Sequence, residues 1–276
     1  MDADHRVLAT SSVVPQRFRI DVASWTDTGP RQEHNEEGDV ASLSLGLYLV
    51  TEGMGGHRTG DRATEIIVDA MPRFFAASHA RPAEPWPFVP YPDRPHEENR
   101  LAGAVRAAGR AIRAAVQRRP EMRGSGSTVA AVSIIGDRIQ LAHVGHCRIY
   151  RLRAGVLEQL TRDHTLYTDA LEHHPDISPE ELAAIPRNVI TRAVGMDDDV
   201  LVDTRTETSR TGDLYLLATD GAYRSLEAHE IASILLGHPT LDIAVRSLVD
   251  AALARDGDDN ATALLLLIGP RLATAS

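Results

Sequence analysis

The chain has 276 residues, of which 43% are hydrophobic and 25% are charged, a composition typical of a globular protein with a sizeable core. Its formal net charge of -10 and the lack of a basic block argue against a protein that binds duplex nucleic acid, which needs clustered Lys or Arg for the phosphates. All 29 basic residues are Arg, so lysine chemistry such as Schiff-base formation is excluded.

Cysteine usage and apolar runs indicate the compartment. Cys147 is the single cysteine, which excludes an intrachain disulfide framework and a thiolate metal cluster and favours a reducing compartment. Segment 1–16 lacks the apolar core of a signal peptide, and the longest apolar run, residues 261–268, is too short to span a bilayer. We therefore expect a cytoplasmic protein that neither crosses nor enters a membrane on its own.

The hydrophobic pattern of the first half of the chain predicts strands followed by two helices. Alternating apolar and polar residues indicate strands at 18–25 and at about 45–49. Apolar residues recurring every three or four positions predict amphipathic helices over about 63–75 and 101–116. The Pro-rich insertion between them, about residues 79–98, holds six prolines, which exclude a helix or a central strand. We interpret it as a stiff surface loop, with a polyproline segment that binds a partner as the alternative.

The second half predicts further strands and three helices. Gly-containing turns separate three strand-like segments over 127–155, as in a meander. A short helix at 178–185 begins with a capping box, in which Ser178 is the N-cap and Glu181 lies three residues later. A strand at 212–221, helices at 227–236 and 240–255 and a buried strand at 261–268 follow. Because strands and helices are grouped and do not alternate regularly, the pattern favours an α+β layered sandwich over a Rossmann-like sheet.

Acidic residues stand at several strand ends. The segments LYLVTEG, ending at Gly53, and LYLLATDG, ending at Gly221, each lead an aliphatic strand into Thr, an acid and Gly. Further acids lie in HNEE at 34–37 and in DGDDN at 256–260. Any one such acid is more typical of a solvated turn. Several together, with no basic cluster to neutralise them, suggest a site for a hard divalent cation, Mg²⁺ or Mn²⁺, held by oxygen ligands.

Seven segments in order along the chain resemble bacterial metal-dependent Ser/Thr protein phosphatases of the PPM type, which are phosphatase 2C-like. They are TDTGPRQEHNEE, LYLVTEGMGGHRTGDRAT, GSGSTVAAV, AHVGHCRIYRLRAGVLEQLTRDHTL, RNVITRAVG, GDLYLLATDG and DDNAT. The resemblance implies a four-layer αββα sandwich, with two central antiparallel sheets flanked by helix pairs and a flap at about 165–187. It also implies one phosphatase domain over 16–270, between tails at 1–15 and 271–276.

The resemblance also implies a two-metal centre with Mn²⁺ or Mg²⁺. The implied ligands are the carboxylates of Glu52, Asp220 and Asp259, the carbonyl of Gly53, and Glu36 directly or through water, with Glu37 behind them. Two such cations, about 3.5 to 4 Å apart, activate a bridging water for in-line attack on phosphoserine or phosphothreonine. The implied partners are phosphorylated Ser/Thr proteins and a cognate Ser/Thr kinase or its substrates.

Three positions depart from the family pattern. Glu52 stands where the family usually has Asp. Its extra methylene moves the carboxylate by about 1 Å, and such a displacement can lower the rate by about 10²-fold. Glu nevertheless binds these cations well. His146 stands where the family has an Asp that helps to hold a third metal. We therefore expect the third metal site to be weak or absent. His146 itself is expected either to act as a ligand or to cap a turn. Gln32 aligns with a phosphate-binding arginine, which an amide cannot replace, and Arg31 reaches the phosphate only if the turn at Pro30 is reshaped.

These observations leave two main hypotheses. The retained residues Glu36, Gly53, Asp220 and Asp259 favour a working phosphatase, slowed by the departures, with His57 either donating a proton to the leaving oxygen or bonding a loop carbonyl. The alternative is a pseudophosphatase, a regulatory module that binds phosphoproteins or a kinase without hydrolysis. An unrelated cation-binding structural protein is the weakest interpretation, because it does not explain the seven ordered segments.

Overall fold

Two antiparallel five-stranded sheets form the centre of the computed structural model, which describes residues 17–55 and 59–272. In chain order the described strands are β1 Phe18–Asp27, β2 Glu37–Ser42, β3 Leu47–Met54, β4 Gly126–Ile135, β5 Arg138–Val144, β6 Arg148–Arg153, β7 Val156–Gln159, β8 Asp203–Thr208, β9 Leu214–Ala218 and β10 Ala261–Arg271. One sheet has the order β1-β10-β9-β6-β7, and the other has the order β2-β3-β4-β5-β8. We call them the first and the second sheet.

Helices cover the outer face of each sheet. The described helices are α1 Gly60–Ala80, α2 His96–Arg118, α3 Leu166–His173, α4 Pro179–Ala183, α5 Asp220–Tyr223, α6 Ala228–Gly237 and α7 Leu241–Arg255. Buried Ile67, Phe75 and Leu101 pack α1 and α2 on the second sheet, whereas Ile231 and Leu248 pack α6 and α7 on the first. The expected α+β fold, a four-layer αββα sandwich with two central antiparallel sheets, is confirmed.

Side-chain alternation along the strands builds three apolar layers. On β3, Leu47 and Leu49 face the helices while Tyr48 and Val50 face the other sheet, as the two-residue period of a strand requires. On β10, Leu265 faces α7 and Leu266 faces the second sheet. This double burial explains why the last strand is a continuous apolar run in the sequence.

The predicted three-strand meander over 127–155 is wrong. β4 and β5 pair in the second sheet, but β6 pairs with β7 and β9 in the first. The chain crosses between sheets at Gly145, whose φ of +96° is open to glycine and disfavoured for other residues. A glycine turn in the sequence marks a change of direction, but it does not specify which sheet receives the next strand.

The Pro-rich insertion is a loop, but a shorter one than the sequence predicts. Helix α1 extends through Ala80 and α2 begins at His96, so residues 79–80 and 96–98 are helical. The loop packs back on α2, because the Asn99 side chain accepts a hydrogen bond from the Tyr91 amide at 2.7 Å and donates one to the Tyr91 carbonyl at 2.9 Å. These contacts support the interpretation as a stiff loop.

The region expected to form a flap contains two short helices, α3 and α4. The predicted capping box is present at the start of α4, where Ser178 and Glu181 bond each other's backbone amides. Helix α3 has no counterpart in the sequence-based prediction. At the two ends of the chain, β1 pairs with β10 over almost their whole length, which supports the proposal of one domain over 16–270. None of the described helices is long and apolar enough to cross a membrane.

The fold brings the ends of β9 and β10 so close that only glycine fits at position 221. A Cβ atom built on Gly221 would lie 1.9 Å from the Asn260 carbonyl oxygen. We expect Gly221→Ala to lower the free energy of unfolding by about 1 to 3 kcal/mol, the range typical of an added side-chain atom that forces the backbone to shift. Chemical denaturation measures this change.

Gly237→Ala is the matched control, because a Cβ at Gly237 meets no atom within 4 Å. It should leave the free energy of unfolding unchanged or raise it by up to about 1 kcal/mol. Equal stability of the two alanine variants would contradict the close approach of residues 221 and 260.

Candidate metal centre

Strand pairing places two predicted site residues side by side at one edge of the second sheet. Glu37 of β2 lies directly opposite Glu52 of β3. Glu37 is buried, and the Glu52 side chain is only 19% exposed. The sheet therefore holds two carboxylates in cross-strand register, an arrangement that is destabilising unless a proton or a cation compensates it.

Glycines let the first turn of α1 pack against these acids. A Cβ on Gly53 would lie 2.0 Å from the Gly60 carbonyl oxygen, and a Cβ on Gly60 would lie 2.4 Å from Oε2 of Glu36. The Gly53 amide donates to the Glu36 carbonyl at 2.9 Å. The glycine after Glu52 thus allows the backbone of β3, the helix start and the Glu36 carboxylate to meet.

The first sheet contributes Asp220, which follows β9 and begins α5. Its side chain is only 6% exposed. Gly221 allows the loop that enters β10 to approach the end of β9, and this loop carries Asp259. Acids that are distant in sequence therefore converge because two strand ends and one loop meet at the same end of the sandwich.

Asn260 joins this loop to the segment before β2, a role that the sequence interpretation missed. Its side-chain oxygen accepts from the Glu36 amide at 2.9 Å, and its Nδ2 donates to the carbonyls of Thr28 at 2.7 Å and His34 at 2.9 Å. The only signal in the sequence is the DDNAT segment, whose Asn is as typical of a turn as of such a junction.

The side chain of His146 lies between Glu52 and Asp220. Its Nδ1 is 3.5 Å from Oε2 of Glu52, and its Nε2 is 3.9 Å from Oδ2 of Asp220. One ligand atom from each of these three residues lies within 4.8 Å of the others. The sequence interpretation left His146 either as a ligand of a weak third site or as a turn cap. The structure places its imidazole among the residues expected to ligate the metals.

Three buried polar atoms of this group have no hydrogen-bond partner among the residues that the structure describes: Oε2 of Glu52, Nδ1 of His146 and Oδ1 of Asp220. Buried polar atoms are usually satisfied, and an orphaned one costs about 1 to 3 kcal/mol. Two carboxylates and an imidazole with free lone pairs form a donor set that suits Mn²⁺, and the carboxylates suit Mg²⁺ as well. The residues therefore fit the divalent cations that the sequence predicts.

The pKa shifts of these side chains also indicate a site for divalent cations. Burial raises the pKa of Glu52 well above its usual range, and the nearby Asp220 and Glu37 raise it further. Burial likewise raises the pKa of Glu37 to about 8, and burial together with Asp220 raises the pKa of Asp259. Burial lowers the pKa of His146, which keeps the imidazole neutral and able to donate a lone pair. Such mutual shifts are typical of carboxylates that share a functional site.

Asp259 and Glu36 lie at the margin of the group. The Asp259 side chain is 36% exposed, and its Oδ1 accepts from the Asn260 amide at 2.9 Å. Burial and the charge of Asp61 raise the pKa of Glu36, and Asp259 adds to this effect. Both residues are near enough to contribute charge, in agreement with the supporting position expected for Glu36.

Arg224, a residue that the sequence interpretation did not single out, brings a positive charge into the centre. Its Nη1 is 2.8 Å from Oδ2 of Asp220 and 3.8 Å from Oδ2 of Asp259, and its Nη2 is 3.3 Å from Oδ2 of Asp256. An arginine four residues after an acid in a helical turn is common on protein surfaces. No feature of the sequence therefore distinguished Arg224 from other surface arginines.

The two residues expected near the substrate phosphate are engaged elsewhere. Arg31 is largely exposed and pairs with the carboxylate of Asp258, while Gln32 donates to the Asp258 carbonyl at 2.7 Å. Both therefore hold the loop that carries Asp259. His57, the candidate proton donor, lies outside the described residues.

A cavity of about 630 Å³ opens beside the candidate centre. Its lining includes His146, Asp220 and Arg224 of the candidate centre, together with Tyr167, Arg187 and Asn188 from the flap region and its end. A cavity of this size, with polar groups converging at one end, is typical of a substrate site.

A second group of possible metal ligands, His143, His164 and Asp203, is already satisfied by the protein. Nδ1 of His164 accepts from the Gly145 amide at 3.0 Å, and its Nε2 lies 3.2 Å from Oδ2 of Asp203. Arg192 donates to Oδ1 of Asp203 at 2.6 Å, which places a cation beside the carboxylate. We therefore interpret this group as a junction that ties the flap region to the second sheet.

Comparisons with known proteins agree with this geometry. A family model described as protein phosphatase 2C matches residues 40–255. The chain is 31% identical over 249 residues to the serine/threonine phosphatase stp of Listeria monocytogenes, covering 87% of this chain and 93% of that protein. It is 32% identical over 244 residues to the serine/threonine protein phosphatase PstP of Mycobacterium tuberculosis, covering 88% of this chain but only 44% of that longer protein.

Among solved structures, the catalytic domain of PstP in complex with two manganese ions is similar, with a TM-score of 0.75 and 29% identity. The match covers 91% of this chain and 98% of that one.

The raised carboxylate pKa values predict how stability depends on pH when metals are removed with a chelator. A carboxyl group with a raised pKa in the folded state stabilises the fold below its ordinary pKa, and this contribution is lost as the pH rises through the folded value. For Glu37 this window runs from 4.5 to about 8. We expect the free energy of unfolding of the metal-free protein to fall as the pH rises from about 4.5 to about 8, as measured by urea denaturation.

Glu37→Gln should reduce this fall, because it removes one of the titrating groups. Glu98→Gln is the matched control, since Glu98 is also buried but accepts hydrogen bonds from Thr204 and Thr206 away from the centre. Stability that stays level or rises with pH in the wild-type protein would contradict the clustering of these acids.

Proposed function

The chain belongs to the protein phosphatase 2C family, and on that premise we propose that it hydrolyses phosphoserine and phosphothreonine in proteins with the help of two bound Mn²⁺ or Mg²⁺ ions. The observation that carries the proposal is the group of orphaned donor atoms on Glu52, His146 and Asp220 beside an open cavity. Bound divalent cations would supply an activated water and neutralise the charge of the phosphate.

The side chains divide the remaining tasks. Glu52 and Asp220 would hold the cations, and Asp259, Glu36 and the Gly53 carbonyl would complete the ligand set. Glu37 lies opposite Glu52 in the strand pairing and would support it from behind. His57 remains the candidate for protonating the leaving oxygen.

The longer side chain of Glu52 is compatible with this proposal. Its carboxylate reaches the group that contains His146 and Asp220. The substitution relative to the family pattern therefore does not remove the carboxylate from the site. The imidazole of His146 occupies space beside it, so the two departures from the family pattern are neighbours and are best considered together.

The pseudophosphatase alternative gains no support from the relatives named above, each of which is described as a phosphatase. We propose that the substrates are phosphorylated proteins of a Ser/Thr kinase pathway, that the protein acts in signalling and that it works in the cytoplasm. The Pro-rich loop and the flap are proposed to lie within one single domain, 16–270.

Turnover measurements test the proposed function. Purified protein should hydrolyse p-nitrophenyl phosphate and a phosphothreonine peptide only with Mn²⁺ or Mg²⁺. Asp220→Asn should abolish this activity, because it removes a ligand charge. Although the family pattern has Asp at this position, Glu52→Asp should lower kcat by about 10-fold to 10²-fold. In this chain the Glu52 carboxylate reaches His146 and Asp220, and a shorter side chain would withdraw it by about 1 Å.

Asp213→Asn serves as the matched control, since Asp213 is only 1% exposed but pairs with Arg153 away from the centre. It should keep metal-dependent turnover. An inert wild-type protein that gains activity through Glu52→Asp would overturn the proposal and favour the pseudophosphatase.

A further inference from the structure

The proposed site needs a cationic side chain for the phosphate, and the two residues nominated by the sequence are not in place. Gln32 is an amide held on the Asp258 carbonyl, and Arg31 pairs with the Asp258 carboxylate. Phosphate carries two negative charges near neutral pH, and a guanidinium that donates two parallel hydrogen bonds is the side chain best suited to hold it. The question is which described arginine can do so.

Three arginines line the cavity beside the centre: Arg148, Arg187 and Arg224. Arg148 is already paired with another acid, because its Nε and Nη2 both donate to the carboxylate of Asp163. Arg187 stacks over the ring of Tyr167 in the flap region, with its guanidinium carbon 4.5 Å from the ring centroid. Arg224 alone among these three bonds directly to an acid of the candidate metal centre.

We propose that Arg224 is the phosphate-positioning residue of this chain, a role that rests on the proposed phosphatase function and on the same site. Its guanidinium is 2.8 Å from Asp220 and lines the cavity, so a phosphate held beside Asp220 lies within its reach. The side chain is 37% exposed, which leaves part of the guanidinium open to the cavity.

The partners of Arg224 explain how it becomes available. Its guanidinium forms ion pairs with the carboxylates of Asp220, Asp256 and Asp259. Two of these acids are expected to ligate cations, and a carboxylate that shares its charge with a divalent cation attracts a guanidinium less strongly. Arg224 can then release one carboxylate oxygen and donate its hydrogen bond to a phosphate oxygen, without leaving the site.

Two other roles for Arg224 predict different measurements. If it only orients Asp220 as a metal ligand, its removal weakens the binding of Mn²⁺, as is typical when a group that supports a ligand is lost. If it is only a counter-ion for the acids, its removal strengthens Mn²⁺ binding and leaves phosphate binding unchanged. A phosphate-positioning residue predicts weaker phosphate binding with Mn²⁺ binding unchanged or stronger.

Calorimetry separates these roles without relying on turnover. Metal-free protein is titrated with Mn²⁺, and the Mn²⁺-loaded protein is then titrated with inorganic phosphate. Arg224→Gln should bind phosphate at least about tenfold more weakly than wild type, because hydrogen bonds to a charged group are lost. Arg224→Lys, which keeps the charge but not the planar pair of donors, should fall between the two.

Arg255→Gln is the matched control, because Arg255 pairs with Glu230 on the neighbouring helix α6 and not with an acid of the centre. It removes the same charge and should change neither titration. Arg224→Gln that binds phosphate as tightly as wild type would overturn the inference, as would a loss of Mn²⁺ binding that accounts for the loss of phosphate binding. Wild-type protein that binds no phosphate when loaded with Mn²⁺ would also overturn it.

Turnover distinguishes a failure of this inference from a failure of the proposed function. If phosphate binding depends on Arg224 but p-nitrophenyl phosphate is not hydrolysed, the phosphatase proposal fails and the assignment of Arg224 stands. If the enzyme is active and Arg224→Gln leaves both KM and phosphate affinity unchanged, the phosphatase proposal stands and the assignment fails.

Discussion

Electrostatic repulsion among buried carboxylates is the constraint on which the site depends. The strand pairing sets Glu37 against Glu52, and the start of α5 adds Asp220 from the other sheet. Burial and mutual repulsion raise the pKa of Glu52, and three buried ligand atoms of the group have no hydrogen-bond partner in the described part of the chain. Repulsion within such a group lowers the stability of the folded state, and bound divalent cations relieve this repulsion.

The sandwich supplies the rigidity that keeps these acids together. Each sheet is covered by helices on its outer face and by the other sheet on its inner face, so the ends of β3 and β9 cannot move apart. Glycines at 53 and 221 allow backbone segments to approach more closely than any side chain would permit. Asn260 then joins the loop of Asp259 to the backbone of Glu36. Packing and hydrogen bonding thus fix the positions of ligands that repel each other.

Much of the fold could be predicted from the sequence, because β3, β10, α1 and α2 have clear apolar periods that match their buried faces. The assignment of β6 to the first sheet could not, since a glycine turn does not encode which sheet receives the next strand. The acids of the site were predictable from the ordered segments, but the positions of His146 and Arg224 were not. Their roles depend on contacts between residues that are far apart in the chain, such as the 3.5 Å approach of His146 to Glu52.

The central claim is that the acids at the end of the sandwich form a centre for divalent cations. The most direct test is a crystal structure of the protein grown with Mn²⁺, with anomalous diffraction data collected at the manganese edge. We predict two strong anomalous peaks among Glu52, Asp220 and Asp259. Peaks only at His143, His164 and Asp203, or none within ligand distance of Glu52 and Asp220, would contradict it.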